Sequence, residues 1–352
     1  MKKQSKEIII LGAGLAGLTL AYELKKSGTE ALILEARDRT GGRIHTLNNS
    51  GTTLELGATW FADKHQHLCT LLEELQLEKV EQYYGQYALY QHPNGQVQNY
   101  ELPNQTEASY RIKGGTHKLI HTLSEQLSSD SIMLNQAVNS LHFQDKRVKI
   151  ATKEKDFHAD IVVNTLPPNL FAKTVTIEPA LPDEIKKLYE ATHTWMGESI
   201  KVGFFSKRAF WKEKGIGTLY SQRGPITEMY DHSNDTGYAL KGFMAEPYNQ
   251  LSKAEREHAA REQLKSFFDK NSVDQMTYAE EPWRDQMYTF SPYRGSIFPH
   301  QHNGHHLLRE PLFDGKLVMG GSETATYFPG YLDGAVEASQ EVMQLLVNHL
   351  KR

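Results

Sequence analysis

The stretch Glu7-Ile8-Ile9-Ile10-Leu11-Gly12-Ala13-Gly14-Leu15-Ala16-Gly17 decides the fold of this chain. Residues 7–11 form an apolar, β-branched run, the pattern of a central strand covered on both faces. Leu15, Leu18 and Tyr22 then recur at a helical period, and Lys25, Lys26 and Gly28 supply a cationic last turn and a stop. Ala31 to Leu34 is a second apolar strand that ends at Glu35. Strand, helix and strand in that order predict a right-handed βαβ unit and therefore a parallel sheet.

The glycines between strand and helix have a chemical reading. Gly12 permits the tight turn, Gly14 lets backbone N–H groups approach a pyrophosphate, and Gly17 lets helix and strand pack closely, with phosphates on the positive helix end. Leu15 and Ala16 stand in the same loop. Glu35, at the tip of the next strand, is placed to accept hydrogen bonds from ribose hydroxyls, and its charge disfavours a 2′-phosphate. This fingerprint fits NAD and FAD alike. The residues that follow, Arg37-Asp38-Arg39-Thr40-Gly41-Gly42-Arg43, make a second glycine turn whose arginines suit a doubly anionic pyrophosphate.

Composition bounds the rest. A chain of 352 residues corresponds to about two domains at roughly 150 residues each. It is 39% hydrophobic and 23% charged, ordinary for a folded globule. The net charge of −4, with no long block of one sign, leaves no footprint for nucleic acid or an acidic membrane. One cysteine, Cys69, forms neither an internal disulfide nor a CxxC pair, so a reducing, cytoplasmic setting is expected. Lys2, Lys3 and Lys6 before an apolar run imitate a secretory leader, but the glycines would interrupt its helix. No apolar run reaches the roughly 18 residues of a membrane span.

Farther along, Gly114-Gly115 precedes an amphipathic helix over 116–127, and alternating runs at 132–143 and 147–151 lead to an apolar strand at 161–163. Residues 200–206, 216–221, 226–231 and 238–245 read as antiparallel strands of a separate sheet, with a turn at 233–237. Ser252-Lys-Ala-Glu255 is a capping box opening a helix to about Asp269, and 330–350 is a long helical pattern. The imidazoles His300, His302, His305 and His306 crowd one loop without a carboxylate or thiolate at ligand spacing, so no metal site is expected. Tyr83, Tyr84, Tyr87 and Tyr90 form a run best read as packing.

The order Glu35-Ala36-Arg37-Asp38-Arg39-Thr40-Gly41-Gly42-Arg43 resembles the flavin-containing amine oxidases, relatives of monoamine, polyamine and L-amino-acid oxidases. The likeness continues at Leu56-Gly57-Ala58-Thr59-Trp60, Arg111-Ile-Lys-Gly114-Gly115, Val138 and Asn164-Thr-Leu-Pro167-Pro168. It closes with Gly320-Gly321-Ser322-Glu323-Thr324-Ala325 and Gly330-Tyr331-Leu332-Asp333-Gly334-Ala335-Val336-Glu337. The resemblance implies an α/β fold: a Rossmann-like FAD-binding domain with a parallel sheet, and a smaller α+β substrate domain on an antiparallel sheet. It implies boundaries at 1–78, 111–182 and 283–352 for the first domain, and 79–110 and 183–282 for the second. The family's long insertion shrinks here to 79–110.

The same resemblance implies FAD bound by Gly12, Gly14, Leu15, Ala16, Gly17, Glu35, Ala36, Arg37, Gly42, Arg43, Gly57, Ala58, Thr59, Trp60, Val138, Gly321, Ser322, Glu323, Tyr331, Leu332 and Ala335. Pro292 stands where membrane-bound relatives carry a tethering cysteine, so the flavin is expected to be non-covalent. Lys201, in Gly197-Glu-Ser-Ile-Lys201, matches the lysine that holds a water against flavin N5. Tyr293 and Tyr331 match the two aromatic residues that cage the amine. A helix starting near Leu332 would aim its positive end at the flavin.

The implied reaction passes a hydride equivalent from the C–H next to nitrogen to flavin N5, with reoxidation by O2 giving hydrogen peroxide. The expected partners are thus a small amine and O2. Three alternatives stand beside it: an amino-acid oxidase, with Arg111, Arg223 or Arg294 holding the substrate carboxylate; a C–C desaturase; and a flavin-binding protein without turnover.

Overall fold

The computed structural model describes residues 8–103, 107–144, 146–245 and 247–350. The basic residues Lys2, Lys3 and Lys6, and the ends of the outer domain segments at 1–7 and 351–352, lie outside them.

Strand Ile8–Leu11 is central in a five-stranded sheet, flanked by Ile161–Asn164 and Ala31–Leu34, with Leu317–Met319 and Ile132–Met133 at the edges. Every pairing in it is parallel. The alternation of a strand sends Ile8, Ile10 and Ile33 into a core with helices Leu15–Lys26, His117–Gln126 and Leu332–Leu350. Ile9, Leu11, Leu32 and Leu34 face the other way, onto Leu141, Val148, Ile150 and Phe157 of a four-stranded sheet. The first strand is therefore apolar at every position because it is buried on both faces.

A second body is a seven-stranded sheet in the order Thr277–Pro282, Ile200–Ser206, Tyr238–Met244, Ile226–Asp231, Ile216–Ser221, Tyr87–Gln91, Val97–Glu101. Its pairings are antiparallel except Tyr87–Gln91 against Ile216–Ser221, which is parallel. Two of the tyrosines read as packing thus lie in a strand that enters this sheet. Helix Lys253–Phe267 begins with the capping box at Ser252 and Glu255, as its sequence predicts, and ends two residues short of Asp269.

The hairpin Thr46–Asn49/Thr52–Glu55, not anticipated from sequence, wedges between the two bodies. Ser50 and Gly51 turn it with φ of 53° and 89°. Its Leu54 lies where a side chain on Gly203 would stand, with a Cβ there 2.5 Å from Leu54 Cδ2. The hairpin is thus locked against the 200–206 strand. No described helix is long and apolar enough to cross a membrane.

Candidate active site

The glycine turn works by close approach. A Cβ on Gly17 would lie 2.1 Å from the carbonyl oxygen of Gly12, whose own φ is +101°. Gly14 and Gly42 come into backbone contact, a Cβ on Gly42 meeting the Gly14 Cα at 3.3 Å. The two glycine turns of the sequence therefore form one cradle. At its edge the Glu35 carboxylate accepts from Ala13 N at 2.7 Å and Arg37 N at 2.9 Å.

A cavity of about 380 Å³ runs from this cradle to the seven-stranded sheet. Gly12, Gly14, Leu15, Ala16, Glu35, Ala36, Arg37, Gly42 and Arg43 line one half. Ala58, Thr59, Trp60, Ser322, Tyr331, Leu332 and Ala335 line the middle, with Lys201 beyond. Gly17, Gly57, Gly321, Glu323 and Val138 are not in the wall. Each of the first four acts from just behind it: Gly57 through its carbonyl, Glu323 through Arg43, and Gly17 and Gly321 through tight backbone packing. Val138 opens the Val138–Phe143 strand, two residues after Gln136, whose N–H donates to Glu35 O at 2.7 Å.

Arg43 joins the chain's two ends. Its Nη1 and Nη2 donate to Glu323 at 2.6 and 3.1 Å, and Nη2 also to Ser322 Oγ at 2.9 Å. Glu323 is fully buried. Arg37 is held by Thr289 Oγ1 at 2.6 Å and Gln286 Oε1 at 3.1 Å.

Lys201 projects from the buried strand Ile200–Ser206 and is 7% exposed. Its Nζ donates to Gly57 O at 2.7 Å, and burial lowers its pKa to about 8, against the pull of Glu55. Sequence reading missed what lies beside it. Lys241 is completely buried, donates to Thr59 Oγ1 and stands 4.2 Å over the Trp60 ring. Glu55, raised by burial, accepts from Thr46 Oγ1 and Thr116 N. His232, lowered well below its usual range by burial, accepts from Glu55 N, and its Nδ1 is unpartnered. A lysine inside the apolar run Ala239-Leu240-Lys241-Gly242-Phe243 was the available signal.

Of the two rings expected to cage the amine, Tyr331 lines the cavity. Tyr293 is not in the cavity wall: its hydroxyl accepts from Thr194 N at 2.6 Å and its ring packs on His193 and Phe290. Trp195 is in the wall, its ring centroid 6.0 Å from that of Tyr331 and tilted by 35°. His300 is more than a surface histidine, since it stacks on Trp195 at 4.0 Å and on Tyr331 at 5.6 Å. Tyr293 thus braces the segment that carries Trp195.

None of Arg111, Arg223 and Arg294 lines the cavity. Arg111 is buried with Nη2 on Ser233 O, and Arg223 packs against Gly95. The only carboxylate in the far half of the cavity wall is Glu228, which accepts from the Tyr230 hydroxyl at 2.7 Å.

Where no metal site was expected, His67, Asp333 and Glu337 converge with ligand atoms within 4.8 Å. His67 Nδ1 pairs with Gln340, Asp333 Oδ1 accepts from Leu68 N, and Glu337 accepts from Thr326 N and Tyr327 N, while Asp333 Oδ2 is buried without a partner.

The family sequence model of flavin containing amine oxidoreductases matches residues 15–108 and 95–346. The chain belongs to that family. It is 23% identical to a probable flavin-containing monoamine oxidase A of Dictyostelium discoideum, over 97% of this chain and 98% of that one. To a putrescine oxidase of Kocuria rosea it is 21% identical, over 94% and 93%. The first alignment spans 458 positions although this chain has only 352 residues, so about a hundred positions of that relative have no counterpart here.

Two solved structures share the fold. A putrescine oxidase bound to putrescine superposes with a TM-score of 0.85 at 20% identity, covering 98% of this chain and 100% of that one. Cyclohexylamine oxidase from Brevibacterium oxydans does so with 0.85 at 19%, covering 99% and 100%.

As a member of this family the chain is an FAD-dependent amine oxidoreductase. Its residues fit the cofactor: a glycine cradle in which a Cβ at Gly12, Gly17 or Gly42 would crowd its neighbours, an acid at the nucleotide end and arginines between.

Proposed function

We propose that this oxidoreductase is an oxidase of small amines that uses O2 as its acceptor and holds its flavin without a covalent tether. The observation that carries the reading is one continuous cavity, walled by both ends of the chain, with Tyr331 in its middle and Lys201 at its far side. Bound FAD supplies the chemistry, taking a hydride equivalent from the C–H next to nitrogen and delivering the electrons to O2 as hydrogen peroxide.

The chain's own residues bind, orient and manage charge. In this reading Gly12, Gly14 and the start of helix Leu15–Lys26 take the pyrophosphate, and Glu35 the adenosine ribose. The first turn of helix Leu332–Leu350 presents its unpaired N–H groups to the ring system. Lys201 would hold a proton and a water beside the bound ring system, and the neighbouring rings of Trp195 and Tyr331 would flank the amine. Cys69 lies on helix Gln66–Glu74 outside the cavity wall, which supports non-covalent binding. We assign the flavin to segments 1–78, 111–182 and 283–352, the substrate to 79–110 and 183–282, and the protein to the cytoplasm.

Glu228 extends the reading to substrate. Lys201, Phe243 and Glu228 are register partners across three neighbouring strands, so they share one face of the sheet. Two strand spacings separate the lysine from the acid, about 10 Å. An amine oxidised beside Lys201 and carrying a second ammonium would lay its chain along Phe243 and place that charge against Glu228. The putrescine oxidase among the relatives is named for such a diamine.

An anaerobic panel of monoamines and diamines tests this. Amines are expected to bleach the flavin, diamines at lower concentration, and Glu228→Gln should raise half-saturation for diamines about tenfold and for monoamines much less. Absence of bleaching by every amine overturns the function.

A further inference from the structure

Two lysine side chains converge on one backbone carbonyl. Lys201 Nζ donates to Gly57 O at 2.7 Å and Lys241 Nζ approaches the same oxygen at 3.5 Å. Lys241 also donates to Thr59 Oγ1, and Thr59 Oγ1 in turn donates to Gly57 O at 3.0 Å. Both side chains thus terminate on the 57–60 turn, of which Ala58, Thr59 and Trp60 are cavity wall. Lys201 is in that wall; Lys241 is not, and is fully buried behind it.

The surroundings make the inner lysine costly. Gly203 on the neighbouring strand is its register partner and offers no polar side chain, and Tyr230 is its partner on the other side. The charged groups around it are Lys201 from Ile200–Ser206, Glu55 from the hairpin and Arg111 from strand Tyr110–Ile112. His232 senses Lys241 and Arg111 and stays neutral. Asp231 is spent elsewhere, on Trp211 Nε1 and Ser233. Glu55 is thus the nearest counter-charge for two lysines. A lysine buried with so little compensation gives up its proton readily, and what it keeps are its contacts with the 57–60 turn.

We propose that Lys241 is a positioning residue for the oxidation assigned above: a second, hidden lysine that clamps the 57–60 wall from behind and so fixes the Gly57 carbonyl on which Lys201 rests. The role rests on Lys201 standing at the reactive edge. Lys241 itself touches neither the cavity nor anything in it. Its work is to hold the Thr59 hydroxyl and the carbonyl of Gly57 in place for Lys201. Burial and the like charge act in the same direction on Lys241, holding it well below the ordinary lysine range.

The test uses the FAD-loaded protein without substrate. The absorbance of bound flavin is titrated with pH in the wild type, Lys201→Met, Lys241→Met, Lys241→Gln and Thr59→Val. An inflection lost in Lys201→Met reports that lysine. In Lys241→Met and in Thr59→Val, each of which breaks the clamp on the Gly57 carbonyl, it should move down by about half a pH unit or more. Lys241→Gln, which can still donate to Thr59, should leave it near its wild-type position. Should Lys241→Met not fold, Thr59→Val carries the test.

Absence of an inflection tied to Lys201, or one that stays in place in both Lys241→Met and Thr59→Val, overturns the proposal. The readout does not need turnover. A protein that no amine reduces would therefore refute the proposed function and leave this result to stand by itself.

Discussion

Lys201 is buried among apolar strand residues, and its pKa of about 8 states the cost of that placement. In the unfolded chain a lysine titrates near 10.4. Between those values the unfolded state binds more protons than the folded one, so stability rises with pH across that window and is lowest below it. Lys201→Met should therefore stabilise the apoprotein at pH 7 by up to about 3 kcal/mol, with the advantage gone above pH 10; calorimetry across pH checks the sign. The same substitution should slow reoxidation of the reduced flavin by O2 about 10²-fold while FAD remains bound, read by stopped flow. Sequence pointed to Lys201 through its motif. It could not point to Lys241 or Trp195, whose importance comes from which strand or ring lies opposite.

The strand, turn and helix over 8–26 is the most sequence-determined element. Its strand is β-branched and its turn excludes side chains by contact with backbone, which cannot yield as a flexible side chain would. Gly17→Ala would put a methyl 2.1 Å from Gly12 O. The expected outcome is purified protein without yellow colour and with a melting temperature lowered by several degrees, measured by absorbance and circular dichroism. The hairpin over 46–55 was less legible. Its Asn-Ser-Gly turn was in the sequence, but both strands are short and polar enough to read as loop, and what buries Leu54 is the absent side chain of Gly203. Tertiary contact supplied the periodicity that the residues lacked.

At the scale of the whole molecule the two ends of the chain are tied by Arg43 and Glu323, 280 positions apart and bonded at two atoms. Glu323 has no exposure, so removing its charge strands a guanidinium that is only partly open to water. Glu323→Gln should cost about 3 kcal/mol of stability and weaken FAD binding at least tenfold, measured by denaturant unfolding and by flavin release on dilution. A variant that keeps both properties would show that the ends are held by packing alone, chiefly helix Leu15–Lys26 against helix Leu332–Leu350.

The sequence by itself determined the parallel sheet, the cradle for a dinucleotide, the antiparallel sheet and the family, because each is written in local periodicity or in glycines that no other residue can replace. Only the tertiary structure decided which aromatic ring neighbours Tyr331, that none of the three candidate arginines lines the cavity, and that a second lysine lies behind the first. Those outcomes depend on strand register and on contacts between residues far apart in the chain. A one-residue change of register would turn every such side chain to the opposite face without altering a letter of the motifs.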